Sequence, residues 1–198
     1  MRLLHKPVPD KELKAAIKAM RIIVDTREQK NQHILDYFNA KKIPYVFRAL
    51  EYGDYSCEIE LNPEHYHETE PSKPKTVSLE KYIVVERKNS IDELAGNLKQ
   101  DKNAEAGDSR RLEREFIRAK ADGCNVVLLL ENFSFDRVFK GSIEGNYRTQ
   151  MLPSVIASNL NTFVARYDLH LLTLNNNDLS GTMVVMSLSR YIYEYLSE

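Results

Sequence analysis

The stretch Lys81-Tyr82-Ile83-Val84-Val85-Glu86-Arg87-Lys88-Asn89-Ser90-Ile91-Asp92 decides the reading of this chain. Tyr82 to Val85 is an aromatic and β-branched run, the composition of a buried, pleated strand. Glu86, Arg87 and Lys88 follow with no Gly or Pro between. Strand side chains alternate, so Glu86 and Lys88 point one way and Arg87 the other. An acid and an amine two residues apart at the end of a buried strand can hold a hard divalent cation and a water beside it. A charged strand end that merely reaches solvent is the plainer reading, and the flanking sequence has to decide.

Upstream, residues 10–20 read as a helix with Asp10 as N-cap and Leu13, Ile17 and Met20 on one face. A strand follows at 21–25, ending in the polar cluster Asp25-Thr26-Arg27-Glu28-Gln29, and a helix at 29–41 is stopped by Pro44. A second strand spans 45–50. Gly53 marks a turn or bulge, and Asp54 starts its continuation to 59. Residues 61–76 change to Asn, Pro, His, Glu, Ser and Lys, a mobile polar loop in which the His65-x-His67 pair reads as solvated.

Downstream, Ser90 caps a helix to 98, and 99–108 is polar. Residues 110–121 form an amphipathic helix with Leu112, Phe116 and Ala119 on one face and Arg110, Arg114 and Arg118 four apart on another, Arg111 alongside. Glu113 and Glu115 partly balance that basic face. Gly123 ends the helix. Residues 125–130 are apolar on both faces, as in a strand with neighbours on each side. Residues 133–147 have no clear period; 153–167 is a long helix, 170–174 a short strand and 179–196 a final helix. Strands alternating with helices predict an α/β chain: a central mixed sheet flanked by helices.

Composition bounds the function. A chain of 198 residues is one domain of comfortable size, with 1–20 as a helical extension and 61–76 as an inserted loop. No apolar run nears the roughly 20 residues that span a bilayer, and residues 1–10 lack the apolar core of a signal peptide. Cys57 and Cys124 are far apart, without metal-type spacing, and read as reduced thiols of a cytoplasmic or nucleoid-associated protein. A net charge of −1 excludes a general polycation, so a nucleic-acid partner requires local positive charge.

Asp25, Asp54 and the Glu86/Lys88 pair each stand at the end of a predicted strand. Adjacent strands lie about 4.8 Å apart, so neighbouring strands would bring the three acids and one amine together. Such a cluster repels itself unless a cation fills it. Mg²⁺ takes a few carboxylates, keeps waters and bridges phosphate oxygens, which suits phosphodiester hydrolysis.

Gly53-Asp54, Glu86-Arg87-Lys88 and Asp92 resemble the G-D…E-R-K-x-x-x-D signature of the XPF-type nucleases, and Val24-Asp25-Thr26-Arg27-Glu28 resembles that family's V-D-x-R-E element. The resemblance runs from about residue 21 to the C-terminus. It implies a restriction-endonuclease-like fold and an endonuclease that cuts branched, flapped or junction DNA with Mg²⁺ or Mn²⁺. It implies Asp54 and Glu86 as metal ligands, with Asp25 as a further ligand, direct or through water, and Lys88 on the attacking water. Arg27 and Arg87 would face substrate, and Glu28 and Asp92 would line the site, Asp92 capping the next helix or pairing with Arg87. The basic helix with Arg110, Arg111, Arg114 and Arg118 is the expected DNA surface. The helicase and helix-hairpin-helix domains that accompany this family have no room in 198 residues.

The alternative is a non-catalytic DNA-binding or scaffold subunit on the same fold, which would be expected to lack the acids or the lysine. A restriction or recombination nuclease is a third reading. The final helix carries a stripe of Val184, Leu188, Tyr191, Ile192 and Tyr195 and more apolar residues beside it, among them Leu179, Met183 and Met186. Two apolar surfaces on one helix predict a homodimer joined through it.

Overall fold

The computed structural model describes residues 7–62, 65, 75–98, 108–144 and 147–197. In chain order these form α1 (Asp10–Lys18), β1 (Arg21–Val24), α2 (Gln32–Lys41), β2 (Tyr45–Phe47), β3 (Tyr55–Leu61), β4 (Lys75–Ser78) and β5 (Ile83–Lys88). Then come α3 (Ile91–Leu98), α4 (Asp108–Ala121), β6 (Asn125–Leu130), α5 (Phe135–Glu144), α6 (Pro153–Tyr167), β7 (His170–Thr173) and α7 (Ser180–Ser197). Among the described residues the strands make one mixed sheet in the order β2-β1-β3-β5-β6-β7, with β4 paired to β3 off this path. β1 runs parallel to β2 and antiparallel to β3; β5, β6 and β7 are parallel to one another.

The alternation of β5 and β6 splits the core in two. Val85 joins Val127 and Leu129 on the face covered by α1, α2 and α7, with Leu13, Phe38, Leu188 and Ile192. Val84 joins Val126, Leu128 and Leu130 on the other face, with Leu94, Leu98, Phe116, Leu160 and Phe163 from α3, α4 and α6. Edge-to-face contact of Phe116 with Phe163 seats α4 on α6. The β5 polar end inherits this parity: Glu86 and Lys88 emerge on the α3/α4 side, Arg87 beneath α2.

Several expectations of local structure are corrected, first that strand 45–50 continues past Gly53: β2 and β3 are separate strands on opposite sides of β1. Asp10 is the first helical residue, not the cap; Pro9 holds the N-cap, and the Asp10 carboxylate pairs with Lys14 and accepts from the Tyr193 hydroxyl. The loop expected through residue 76 overlaps β4, which starts at Lys75 and is in register with β3 from Glu58↔Ser78 to Leu61↔Lys75. His65 is not solvated: it is buried, with Nε2 3.1 Å from Glu12 Oε2; His67 and most of 61–76 lie outside the described residues. The mixed stretch 133–147 contains α5.

The final helix packs against α1, α2, β3 and β5, and Val184, Leu188, Ile192 and Leu196 are buried. Met183, expected on a second apolar surface, also packs on this core, as does Tyr193, which leaves Leu179 and Met186 exposed. Both cysteines are free and buried. Among the described residues no helix is long and apolar enough to cross a membrane.

Candidate active site

Main-chain hydrogen bonds bring the three strand ends together. Asp25 N–H donates to Asp54 O at 2.8 Å, and Asp54 N–H donates to Val85 O at 2.9 Å. The approach requires glycine before Asp54: Gly53 has φ +73°, and a Cβ there would lie 2.7 Å from Val84 Cβ. Side chains from these ends, with α3 and α4, enclose a cleft of about 270 Å³ lined by Asp25, Arg27, Glu28, Gly53, Asp54, Glu86, Lys88, Glu93, Asn97, Leu112 and Glu115.

Asp54 Oδ2 accepts the Arg87 amide at 2.7 Å, and Lys88 Nζ donates to Glu86 Oε1 at 2.6 Å. Asp54 Oδ1 and Glu86 Oε2 accept no hydrogen bond among the described residues. Burial, then the charge of Glu86, pushes the Asp54 carboxyl well above the usual carboxylate range, despite Lys88 and the Arg87 amide. Burial likewise raises Glu86 against the pull of Lys88. Burial opposes the charge of Lys88, yet Glu86 and Asp54 outweigh it and raise its pKa. Two carboxylates and one ammonium in a desolvated corner leave an excess negative charge that a proton or a cation relieves.

Asp25 occupies a different state. The expectation that it is a metal ligand meets a carboxylate already filled: Oδ1 accepts Arg27 N–H and Nε–H, and Oδ2 accepts Arg27 Nη2 and Leu50 N–H. Against the cost of burial, Arg27 and the Leu50 amide hold its carboxyl below the usual range. Among the described residues no group of three or more His, Cys, Asp or Glu is arranged to hold one ion.

Arg87 is corrected as a substrate contact. It is buried, with one arm on Glu28 and the Lys30 carbonyl (3.0 Å from the latter) and the other 2.8 Å from Glu131 Oε2. His33 Nε2 lies 2.9 Å from the other oxygen of Glu131. Arg87 therefore braces Glu28, which lines the cleft, from behind the sheet. Asp92 does not line the cleft or meet Arg87: its Oδ1 accepts the amides of Arg148 and Thr149 at 2.8 and 2.7 Å, latching the approach to α6. Ser90 caps α3 as expected, accepting Glu93 N–H at 3.2 Å.

On α4, Arg114 and Arg118 are exposed, while the side chains of Arg110 and Arg111 lie outside the described residues. Glu113 and Glu115, expected to balance them, each have a further setting. Glu113 accepts from the Tyr167 hydroxyl at 2.7 Å and from Arg166. Glu115 is buried and lines the cleft, where its charge acts on Glu86 and Arg27. The sequence carried that signal: Leu112, Glu115, Phe116 and Ala119 share the i, i+3, i+4, i+7 face that packs inward. Glu93 and Asn97 on α3 also line the cleft, with no local motif to mark them. Lys88 Nζ lies 3.7 Å from Glu93 Oε1.

A mixed sheet flanked by helices, with an acid-lysine pair facing an open cleft at its strand ends, defines an α/β domain of the XPF nuclease type. Two solved structures share the fold: XPF from Aeropyrum pernix in complex with DNA (18% identity, TM-score 0.52, 86% of this chain and 63% of that one) and the XPF from Aeropyrum pernix (19%, 0.53, 86% and 60%). The family model for the ERCC4 domain matches residues 24–186, so the chain belongs to the ERCC4 domain family. No curated protein matches it. The chain spans about three-fifths of the two solved relatives.

Proposed function

We infer that this domain is a divalent-metal-dependent DNA endonuclease that hydrolyses phosphodiester bonds in branched, flapped or junction DNA. The observation that carries the reading is the pair Asp54 and Glu86 beside Lys88, two acids whose free oxygens share one cleft. The cleft is lined by six acids (Asp25, Glu28, Asp54, Glu86, Glu93, Glu115) and two bases (Arg27, Lys88). Such a surface repels a polyanion unless it holds cations. Hard carboxylate oxygens with room for water fit Mg²⁺ or Mn²⁺, ions that use one or two protein carboxylates and keep several waters. Asp54 and Glu86 would hold the ion, which when bound supplies Lewis-acid polarisation of the phosphate.

The chain's own groups do the rest. Lys88, kept cationic by Glu86 and Asp54, orients a water and offsets charge building on the phosphoryl oxygens. Arg27, on the cleft wall, receives a phosphate oxygen. Arg114 and Arg118, with their neighbours on α4, hold the flanking backbone. Two copies pair through the exposed Met186 of α7 and Leu179 just before it.

Labelled duplex, flap, fork and four-way-junction DNAs incubated with Mg²⁺ test the activity. Cleavage of branched substrates in preference to duplex is expected, with none in chelator. Binding without cleavage in either Mg²⁺ or Mn²⁺ would leave the chain a non-catalytic DNA-binding subunit.

A further inference from the structure

Asp25 has the most complete set of internal bonds at the cleft. It is 1% exposed. Its Oδ1 accepts Arg27 N–H at 2.7 Å and Nε–H at 2.8 Å; its Oδ2 accepts Arg27 Nη2 at 2.9 Å and Leu50 N–H at 2.7 Å. A carboxylate offers about four lone-pair positions, and the chain's own donors take all of them. A cation could enter only by breaking a bidentate, charge-assisted pair.

The same bonds fix Arg27. Nη2 also donates to Leu50 O at 2.8 Å, so the guanidinium ties the end of β1 to the segment that leads to Gly53 and Asp54. Nη1 meets no protein acceptor among the described residues, and the side chain stays 48% exposed on the cleft wall. A guanidinium clamped along one edge, with donors left over, is prearranged for a phosphate oxygen.

We propose that Asp25 is a positioning residue rather than a metal ligand: through Arg27 it sets the phosphate-binding cation of the cleft. The phosphate in this statement rests on the nuclease reading above; the bonds do not.

The experiment uses the full chain with Mn²⁺ as probe, free ion being followed by electron paramagnetic resonance. Affinity for a labelled fork DNA is followed by anisotropy in Ca²⁺ over a range of salt. Asp25→Asn and Arg27→Ala should keep Mn²⁺ affinity within about twofold of wild type, while Asp54→Asn lowers it on the order of tenfold or more. Each of the first two should weaken DNA binding by a similar factor, with no further loss in the double variant. The salt slope should fall by about one counterion, and Arg27→Lys should not restore binding.

Loss of Mn²⁺ in Asp25→Asn equal to that in Asp54→Asn overturns the proposal, as do additive effects on DNA binding. If Asp25→Asn does not fold, the exposed Arg27→Ala decides: unchanged Mn²⁺ affinity supports positioning, and a gain on freeing the Asp25 carboxylate refutes it. If Asp54→Asn also leaves Mn²⁺ binding intact, the metal reading falls, and the coupling of Asp25 to Arg27 in DNA affinity still settles the role of Asp25. A wild-type chain that binds no DNA overturns the proposal outright.

Discussion

Lys88 Nζ lies 2.6 Å from Glu86 Oε1, and both side chains are buried although they end a strand that opens on a cleft. The contact is available because the two residues are separated by one position on β5 and therefore share a face. Arg87 between them faces the opposite core, where it binds Glu28 and Glu131. Three consecutive charges thus serve both faces of the sheet, and Glu28, held by Arg87 and lining the cleft, links the two.

Asp54→Asn and Lys88→Ala are expected to reduce cleavage on the order of 10²-fold or more, since each removes a group aimed at developing charge. Asp54→Asn relieves repulsion with Glu86, so the metal-free variant should melt at or above wild type. Turnover near wild type in either variant, measured in Mg²⁺, would remove these residues from the mechanism.

The same groups set opposite pH dependences. Asp54 and Glu86 have raised folded-state pKa values, so they penalise folding once ionised. Their cost begins as pH rises past the unfolded value and grows until the folded pKa is passed. Asp25 is lowered, so its contribution is present above the unfolded value near 3.8 and is lost as pH falls through the folded pKa. Metal-free protein should therefore lose melting temperature as pH is raised from about 5 towards 8, and Asp54→Asn should flatten that limb. A wild-type curve flat over this range, with Asp54→Asn superimposed, contradicts the assignment.

Arg87→Ala leaves Glu28 and the buried Glu131 without their cation. Stripping one partner from a buried network costs about 3–5 kcal/mol, and lysine cannot reproduce contacts to two carboxylates and the Lys30 carbonyl. Both Arg87→Ala and Arg87→Lys should lower the urea midpoint. Loss of activity with unchanged stability would instead return Arg87 to substrate binding.

Replacing Arg114 and Arg118 together should weaken binding to every DNA tested and reduce the salt slope by about two counterions. Their exposure, and the commitment of Glu113 to Tyr167 and Arg166, leaves this face basic. An unchanged slope makes it ordinary solvated surface.

Pairing through α7 has a narrow surface to use, because α1 and α2 already cover most of the helix. Light scattering at micromolar concentration should show a mass above 23.0 kDa that Met186→Lys returns towards the monomer. A wild-type mass that stays at 23.0 kDa shows that the apolar surface of α7 serves its own domain.

Local pattern determined the strand β5, the two-sided burial of β6, the span of α6 and the place of Asp25, Asp54 and Glu86 at strand ends, because alternation and apolar runs are written in consecutive residues; that these ends meet follows from the strand order β1-β3-β5. It also determined that Glu86 and Lys88 share a face. It could not decide which acids keep oxygens free. Asp25 and Asp54 are alike as strand-end aspartates, yet one is consumed by Arg27 and Leu50 and the other opens on the cleft. Only the register of β1 against β3, and the path of the chain around Leu50, distinguishes them. The fate of Arg87, enclosed by carboxylates at positions 28 and 131, was set in the same way. Leu50 reaches Asp25 across 25 residues, and Glu28 and Glu131 reach Arg87 across 59 and 44; such choices are made by packing, whose free energy no short window of sequence contains.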